Sequence, residues 1–506
     1  MALNFWKKLF GKTGADFETN PLTPKSPIFF WNTLSLKKEK FEPLRYPEVK
    51  MYNCGPTVYY YAHIGNLSSY VFADTLKRVL EYNGLQVKQV INITDVGHLT
   101  GDNEGDADTG EDKMEKSAKI QKKSVKEITE EYTNAFFEDL LLLNIDTEKI
   151  TFPRATDNII EQIALVETLE QKGYTYKTSD GIYFDTSKFA GYGKLGKINL
   201  KGQEEGARVA RNPEKKNATD FALWKLSPKP ESTEGKREQE WPSPWGVGFP
   251  GWHLECSAMS IKFLGKTFDI HTGGIDHIPV HHNNEIAQSE VATGKPFVKY
   301  WLHNAFILVE GKKISKSIGN TIYLKNLISR KISPLAYRYW LLSSHYRTQT
   351  NFTWDAIEGS QTALFKLQKF FVETLGKKNG VVNKKYQEQF HKFVNDDLNT
   401  AQAIALTWAL VKDDSVKKED KRATLLDFDR VFGLNLKELD SEIMAIEGSG
   451  EIPLSSLPHD IAKLISDREL ARSQKNWKLA DEIRTKLSDL GYTLEDKSTG
   501  VKIFSK

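Results

Sequence analysis

Two cysteines, a histidine–glutamate pair and two short segments rich in glycine, histidine and lysine are the residues of this chain best suited to chemistry. Cys54 and Cys256 are the only cysteines among 506 residues, and they stand 202 positions apart, so neither belongs to a local CxxC site. The stretch from Asp269 to Glu285 reads DIHTGGIDHIPVHHNNE and is dense in imidazoles and carboxylates. If a helix begins near His281, then His281 and Glu285 lie one turn apart on one face. With two thiolates added they make a four-ligand set of the kind zinc takes; a solvated polar helix start accounts for the same spacing. His63-Ile64-Gly65-Asn66 opens another segment, where unpaired backbone N–H groups would favour phosphate. Lys313-Ile314-Ser315-Lys316-Ser317 is a cationic loop between Gly311 and Gly319, able to neutralise phosphate charge or simply to face solvent.

These residues need a scaffold, and the flanking sequence predicts one. Val49, Met51 and Tyr52 are apolar and β-prone, a buried strand ending at Cys54, Gly55 and Pro56. From Leu67 onward, apolar residues recur at Val71, Ala73, Leu76, Val79 and Leu80, which is helical spacing, and Gly84 stands where a stop belongs. A second β-prone run, residues 86–93, completes a βαβ rhythm. Cys54 and His63 thereby fall at the carboxyl edge of a parallel sheet, where open α/β sheets bind ligands. Farther on, helices are expected over 117–143 and after Thr156. Strand-like alternation follows in GIYFDTSKFAGYG, and residues 218–224 (ATDFALW) are expected to resume the main domain. LAYRYWLLSSHYR reads as a buried helix, and residues 354–376 and 383–412 as a helical bundle. Helices near 458–473 and 478–490, a cap at Gly491 and a hairpin form a last small unit.

The bulk numbers suit an ordinary multidomain globular protein: 39% hydrophobic and 27% charged residues. No run approaches the roughly 18 apolar residues of a membrane helix. A net charge of +3 permits a polyanionic partner without requiring one. Two cysteines are too few for a disulfide scaffold, which points to a reducing cytoplasm. The opening MALNFWKKLFGKTGADF lacks a continuous hydrophobic region and is not read as a signal peptide. The acidic, glycine-rich stretch 101–113 fits no EF-hand and is read as a solvated connection.

HIGN after a first strand resembles the HIGH signature of class I aminoacyl-tRNA synthetases, and KISKS, about 250 residues later, resembles their KMSKS signature. CGPTVY, GWHLECSAM, DIHTGGIDHIPVHHNNEIAQSE and KISKS together resemble cysteinyl-tRNA synthetases over roughly residues 27–506. The resemblance implies zinc held by Cys54, Cys256, His281 and Glu285, with Mg-ATP as co-substrate. It places Trp252, Thr94 and Asp276 in the cysteine pocket. It assigns His63, Gly65 and Asn66 to ATP, and Lys313 and Lys316, with His63 and Asn66, to catalysis. A metal that reads sulfur against oxygen removes the need for an editing domain, because apolar pockets discriminate small side chains weakly.

The expected fold is therefore α/β: a Rossmann-like doubly wound parallel sheet with a connective insertion, then an α-helical bundle and a small α+β C-terminal domain. The expected division is 1–26 tail, 27–114 and 216–310 catalytic halves, 115–215 insertion, 311–350 signature loop and stem-contact region, 351–440 bundle, 441–457 linker and 458–506 anticodon-binding domain. The resemblance implies tRNA(Cys), cysteine and ATP as partners, transfer to the terminal adenosine's 2′-hydroxyl, and a cytoplasmic monomer without membrane association. In the last unit Arg468, Arg472, Lys475 and Lys478 form a basic edge, with Trp477 either stacking on an anticodon base or packing into the core. Two rivals remain: a cysteine ligase with an amino-sugar acceptor, and a catalytically inactive tRNA- or zinc-binding relative. The sequence departs from the pattern in three places: Asn66 replaces His, HHNNE replaces HHENE, and Gly97-His98 replaces an acidic pair.

Overall fold

A computed structural model describes residues 26–97, 99–100, 111–198, 213–227, 237–315, 318–439, 459–474, 476–497 and 500–505. The tail before Ser26, most of the 101–113 stretch, the whole 441–457 linker, Lys316 and Lys475 thus lie outside the described residues. The chain divides into two compact units.

The first unit spans Met1–Ser360, Lys384–Lys412 and Arg430–Leu434. At its centre is a five-stranded sheet, built from β1 (Glu48–Asn53), β2 (Gln86–Ile91), β3 (Ile150–Thr151), β4 (Phe268–Gly274) and β5 (Val298–Asn304). All pairings are parallel, in the order β5-β4-β1-β2-β3. Met51 and Tyr52 are wholly buried, as strands covered on both faces require. Because β2 and β3 are added on one side of β1 and β4 and β5 on the other, the strand order reverses at β1/β4, and a crevice opens there beyond the strand ends.

Helix α1 (Ile64–Tyr82) connects β1 to β2 and buries the predicted Leu67, Val71, Ala73, Leu76, Val79 and Leu80. Gly84 follows with φ +83°, the left-handed conformation that ends a helix cheaply only in glycine. Two groups hold the start of α1 in place. The Tyr337 hydroxyl donates to the Ile64 carbonyl at 2.6 Å, and the Ile64 N–H donates to the Ile322 carbonyl at 2.9 Å.

The structure departs from the expected elements in three places. The helix expected over 117–143 is two helices, Lys113–Gln121 and Val125–Leu142, broken at left-handed Lys122. Ser124 and Glu127 form a reciprocal capping box that starts the second. Residues 383–412 likewise divide, into Lys384–Val394 and Thr400–Lys412, with Asp397 and Leu398 both at positive φ between them. Finally, Phe221–Leu226 does not join the parallel sheet. It pairs antiparallel with Gly181–Phe184 in a separate four-stranded sheet, burying Phe221, Leu223 and Trp224 against that sheet's own core.

The second unit comprises Gln361–Asn383, Asp413–Asp429 and Asn435–Lys506. Its C-terminal part contains helices His459–Ser473 and Trp477–Asp489 and the hairpin Tyr492–Lys497/Gly500–Ser505. Ile461, Ile465, Leu487, Leu494 and Ile503 form its core. Among the described residues, no helix is long and apolar enough to cross a membrane.

Candidate active site

The crevice at the β1/β4 edge is a cleft of about 350 Å³, lined among others by Cys54, His63, Asn66, Trp252, Asp276 and Lys313. Cys54 stands just past β1. Cys256 rides on α2 (Trp252–Leu264), and His281 and Glu285 on the first turns of α3 (His281–Thr293). The ligating atoms of Cys54, Cys256, His281 and Glu285 all lie within 4.8 Å of one another, and all four side chains but Cys54 are buried. The i, i+4 spacing does what was expected of it: His281 Nε2 is 3.0 Å from Glu285 Oε1.

Electrostatics bind this group together. Burial alone would push Glu285 up, but His271 and His281 hold it down to about 2. Burial would push His281 down, while Glu285 and the Cys256 thiol hold it up to about 10. The hydrogen bond from Cys54 pulls Cys256 down to about 7 against its burial, whereas burial drives Cys54 well up.

A second layer surrounds these four side chains, and most of it was not foreseen. His271 Nε2 meets Glu285 Oε2 at 2.9 Å, and His253 Nδ1 meets His281 Nδ1 at 2.8 Å. His282 Nε2 lies 3.2 Å from the Cys54 sulfur, while its Nδ1 reaches His303, which in turn reaches the Thr33 hydroxyl. Cys54, His271, His282 and Glu285 form an alternative cluster within the same 4.8 Å. In it, however, both His271 nitrogens already face partners, Glu285 and the Thr272 carbonyl. The same holds for His281, whose nitrogens face His253 and Glu285, so contacts alone do not rank the two clusters. Six of the chain's eleven histidines (253, 271, 277, 281, 282 and 303) gather here, a density visible in the sequence.

The other expected residues are placed as follows. The Trp252 ring packs on His281 with centroids 4.4 Å apart, walling the cleft. Asp276 is exposed to the cleft. Thr94 is buried, and its hydroxyl donates to Glu255 at 2.9 Å and accepts from Asn92. His63 caps α1, with its Nδ1 accepting from the Asn66 N–H. The Lys313 ammonium lies over the Phe306 ring, and the Asn320 amide bridges the Lys313 carbonyl and the Ser315 N–H. Gly65 leaves room for this loop: a Cβ there would stand 2.9 Å from Ile314 Cδ1. The two signature segments thus pack directly on each other.

The Gly97 departure also has a physical explanation. A Cβ on residue 97 would fall 2.1 Å from the Asp112 carboxylate. Asp112 caps the helix at Lys113 and pairs with buried Arg237, whose Nη2 also donates to the Gly97 carbonyl at 3.0 Å. A carboxylate from the end of the 101–113 stretch thus occupies the space a side chain at 97 would take.

In the C-terminal part of the second unit, Trp477 is 58% exposed and so is not core. Arg472 approaches its ring, with the guanidinium 5.8 Å from the centroid. Arg468, expected on the basic edge, is instead 1% exposed and grips Asp496 through both terminal nitrogens at 2.9 and 2.8 Å.

Comparison with known proteins agrees with this architecture. The tRNA synthetases class I (C) catalytic domain matches residues 40–362, and the cysteinyl-tRNA ligase anticodon binding domain matches residues 454–503. Cysteine–tRNA ligase 1 of Burkholderia lata is 45% identical over 94% of this chain and 97% of its own. The cysteine–tRNA ligase of Treponema denticola is 44% identical over 92% and 97%. In fold the chain is similar to Agrobacterium radiobacter K84 LeuRS, solved as a ternary complex with tRNA and LeuAMS (TM-score 0.57, 10% identity, 81% of this chain and 86% of that one). It is also similar to Mycobacterium tuberculosis methionyl-tRNA synthetase in complex with methionyl-adenylate (TM-score 0.50, 14% identity, 81% and 94%). With a class I catalytic domain over more than half its length and relatives matched nearly end to end, this chain belongs to the cysteine–tRNA ligase family of class I aminoacyl-tRNA synthetases.

Proposed function

We propose that the enzyme activates cysteine with Mg-ATP as cysteinyl-adenylate and transfers it to the 2′-hydroxyl of the terminal adenosine of tRNA(Cys). The observation that carries this reading is a Cys54–Cys256–His281–Glu285 donor set that reaches, through Cys54, the same cleft that His63, Gly65 and Asn66 line at the start of α1. Two thiols, an imidazole and a carboxylate suit zinc, and zinc bound there would hold a substrate thiol as thiolate while disfavouring serine's hydroxyl. His271 fixes the Glu285 carboxylate and His253 fixes His281, the outer contacts that orient a ligand set. Trp252 closes the side-chain pocket and Asp276 takes the substrate's polar end; Thr94 supports the floor through Glu255.

His63, Gly65 and Asn66 receive the ATP phosphates at the helix N-terminus. The amino acid carboxylate then attacks the α-phosphate, the bond to pyrophosphate breaks, and Lys313 and Lys316 neutralise the departing charge. No protein nucleophile is needed; positioning and electrostatics suffice. Residues 458–506 grip the anticodon, with Trp477 offering an exposed ring for stacking. The domain limits proposed are those expected from sequence, and the enzyme works as a cytoplasmic monomer. The match of residues 454–503 to an anticodon domain favours tRNA over an amino-sugar acceptor. Cysteine-dependent ATP–pyrophosphate exchange, run beside tRNA charging, tests the reading; exchange without any charging would overturn the acceptor, and absence of exchange the chemistry.

A further inference from the structure

Three consecutive tyrosines, Tyr59, Tyr60 and Tyr61, lie between Pro56 and His63, and none takes part in the chemistry proposed above. The fold brings two more to them: Tyr132 from the helix Val125–Leu142, and Tyr323 from the segment after the KISKS loop. Tyr60 meets Tyr61, Tyr132 and Tyr323 with ring centroids 5.4, 5.3 and 5.7 Å apart. Tyr61 meets Tyr132 and Tyr323 at 5.0 and 6.0 Å. A backbone bridge between His63 and Tyr323 sets the last ring against the start of α1. The Ser117 hydroxyl donates to the Tyr59 carbonyl at 2.8 Å, which ties the run to the helix Lys113–Gln121.

The cluster is buried at its base and open at its top. Tyr132 is 3% exposed and donates to Gln121, whereas Tyr60 is 37% exposed. All four mutually packed rings line the cleft that His63, Gly65 and Asn66 also line. One exposed ring is ordinary on a protein surface; four in contact, opening on a catalytic cleft, call for a ligand with a flat apolar face. Cations stand beside them. The Lys325 ammonium lies 3.6 Å from the Tyr61 centroid, and that of Lys113 5.9 Å from the Tyr59 centroid. The helix that Ser117 ties to the run carries Lys113, Lys116 and Lys119 against one carboxylate, Glu115.

We propose that this cluster is the platform on which an unpaired nucleotide of the tRNA 3′ end stacks, its base on Tyr60 and its phosphates toward Lys325 and Lys113. This rests on the tRNA reading above. Every base offers a π-face to an aromatic ring, and flanking cations track the phosphates, which is how proteins hold single strands. The terminal adenosine must bring its 2′-hydroxyl to an adenylate inside the cleft, so the nucleotides before it cross the rim. Tyrosine suits that rim, with an apolar ring and a hydroxyl that stays wet.

The test uses the full-length protein and a ligated tRNA(Cys) whose penultimate nucleotide is 2-aminopurine, a fluorescent base quenched by stacking. The parent should quench this probe on binding. Tyr60→Ala should lose the quenching and raise the KM for unmodified tRNA about tenfold, as losing one stacked base does. Its cysteine-dependent ATP–pyrophosphate exchange should be nearly unchanged. Tyr60→Trp should keep both signals, whereas Tyr60→Leu, with apolar bulk but no π-face, should lose them. If Tyr60→Ala does not fold, the Trp and Leu variants carry the same comparison. Lys325→Gln should reduce the salt dependence of tRNA binding by about one released counterion. Charging by Tyr60→Leu equal to the parent's makes the patch a plain apolar contact and overturns the proposal. So does a parent that leaves the probe bright, or exchange that falls in step with charging in Tyr60→Ala. A parent that performs exchange but charges no tRNA overturns the tRNA reading instead.

Discussion

His63 and Asn66 close a reciprocal cap on the first turn of α1: the Asn66 N–H donates to His63 Nδ1 at 3.1 Å, and the His63 N–H donates to Asn66 Oδ1 at 3.2 Å. An imidazole that accepts at Nδ1 carries its proton at Nε2 in the neutral form. The cap therefore selects the tautomer that presents a donor to the cleft. Asn66 spends its oxygen on the cap, and its amide NH₂ is the group that the proposed phosphate contact uses.

Substitutions at Asn66 should separate these two roles. Asn66→Asp keeps the capping oxygen but sets a negative charge where phosphate binds. It should leave thermal stability nearly unchanged and sharply lower ATP–pyrophosphate exchange. Asn66→Ala should cost about 1 kcal/mol of stability as well. Comparable exchange in Asn66→Asp and the parent would remove the phosphate role.

Purified protein should contain about one zinc per chain, and Cys256→Ser should lower both zinc content and cysteine affinity. Metal analysis together with cysteine titration checks both. A metal-free preparation that activates cysteine at full rate would contradict the assignment.

Lys316→Ala should depress adenylate formation by roughly 10²-fold while cysteine binding barely changes, because its ammonium acts on charge that develops in the transition state. Exchange kinetics with a separate cysteine-binding measurement distinguish this from a lost substrate contact.

Deleting residues 458–506 should spare ATP–pyrophosphate exchange and weaken tRNA charging in a salt-dependent manner. Within that segment, Trp477→Ala should lower charging without unfolding the unit, since the ring is exposed. Arg468→Ala should instead lower the unit's stability, because it empties a buried site and leaves Asp496 with Arg472 alone of its two arginine partners.

Asp139, on the helix Val125–Leu142, is pushed up to about 7 by burial and by neighbouring Glu138. The folded chain keeps that proton up to about pH 7, whereas an unfolded carboxyl releases it near about pH 4. The stability this group contributes is thus present below about pH 4 and is lost as pH rises through 7. Asp139→Asn should therefore gain stability over the parent, by about 1–2 kcal/mol once screening is allowed for, at pH 8 but not at pH 4. Chemical denaturation at the two pH values measures the difference.

What the sequence determined by itself was local. The periodicity from Leu67 to Leu80 was enough to define α1 and its buried face, and Gly491 with the following hairpin was readable at the C-terminus. The His281–Glu285 spacing placed both side chains on one helix face before any tertiary contact was known. Resemblance then united donors that lie 202 residues apart, which no local rule could do. The tertiary structure decided what depends on which surfaces meet. Phe221–Leu226 is as apolar as a central strand, and only the choice of partner sent it to the antiparallel sheet. Arg468 and Trp477 read as a basic edge and a possible core anchor, yet a carboxylate on the facing hairpin draws the arginine inside and leaves the indole in solvent. His271 and His303 carry no motif of their own. Their roles arise because parallel pairing of β1, β4 and β5 brings three strands, remote in sequence, to one edge, where each side chain's partner is set by the neighbouring strand or helix rather than by its own.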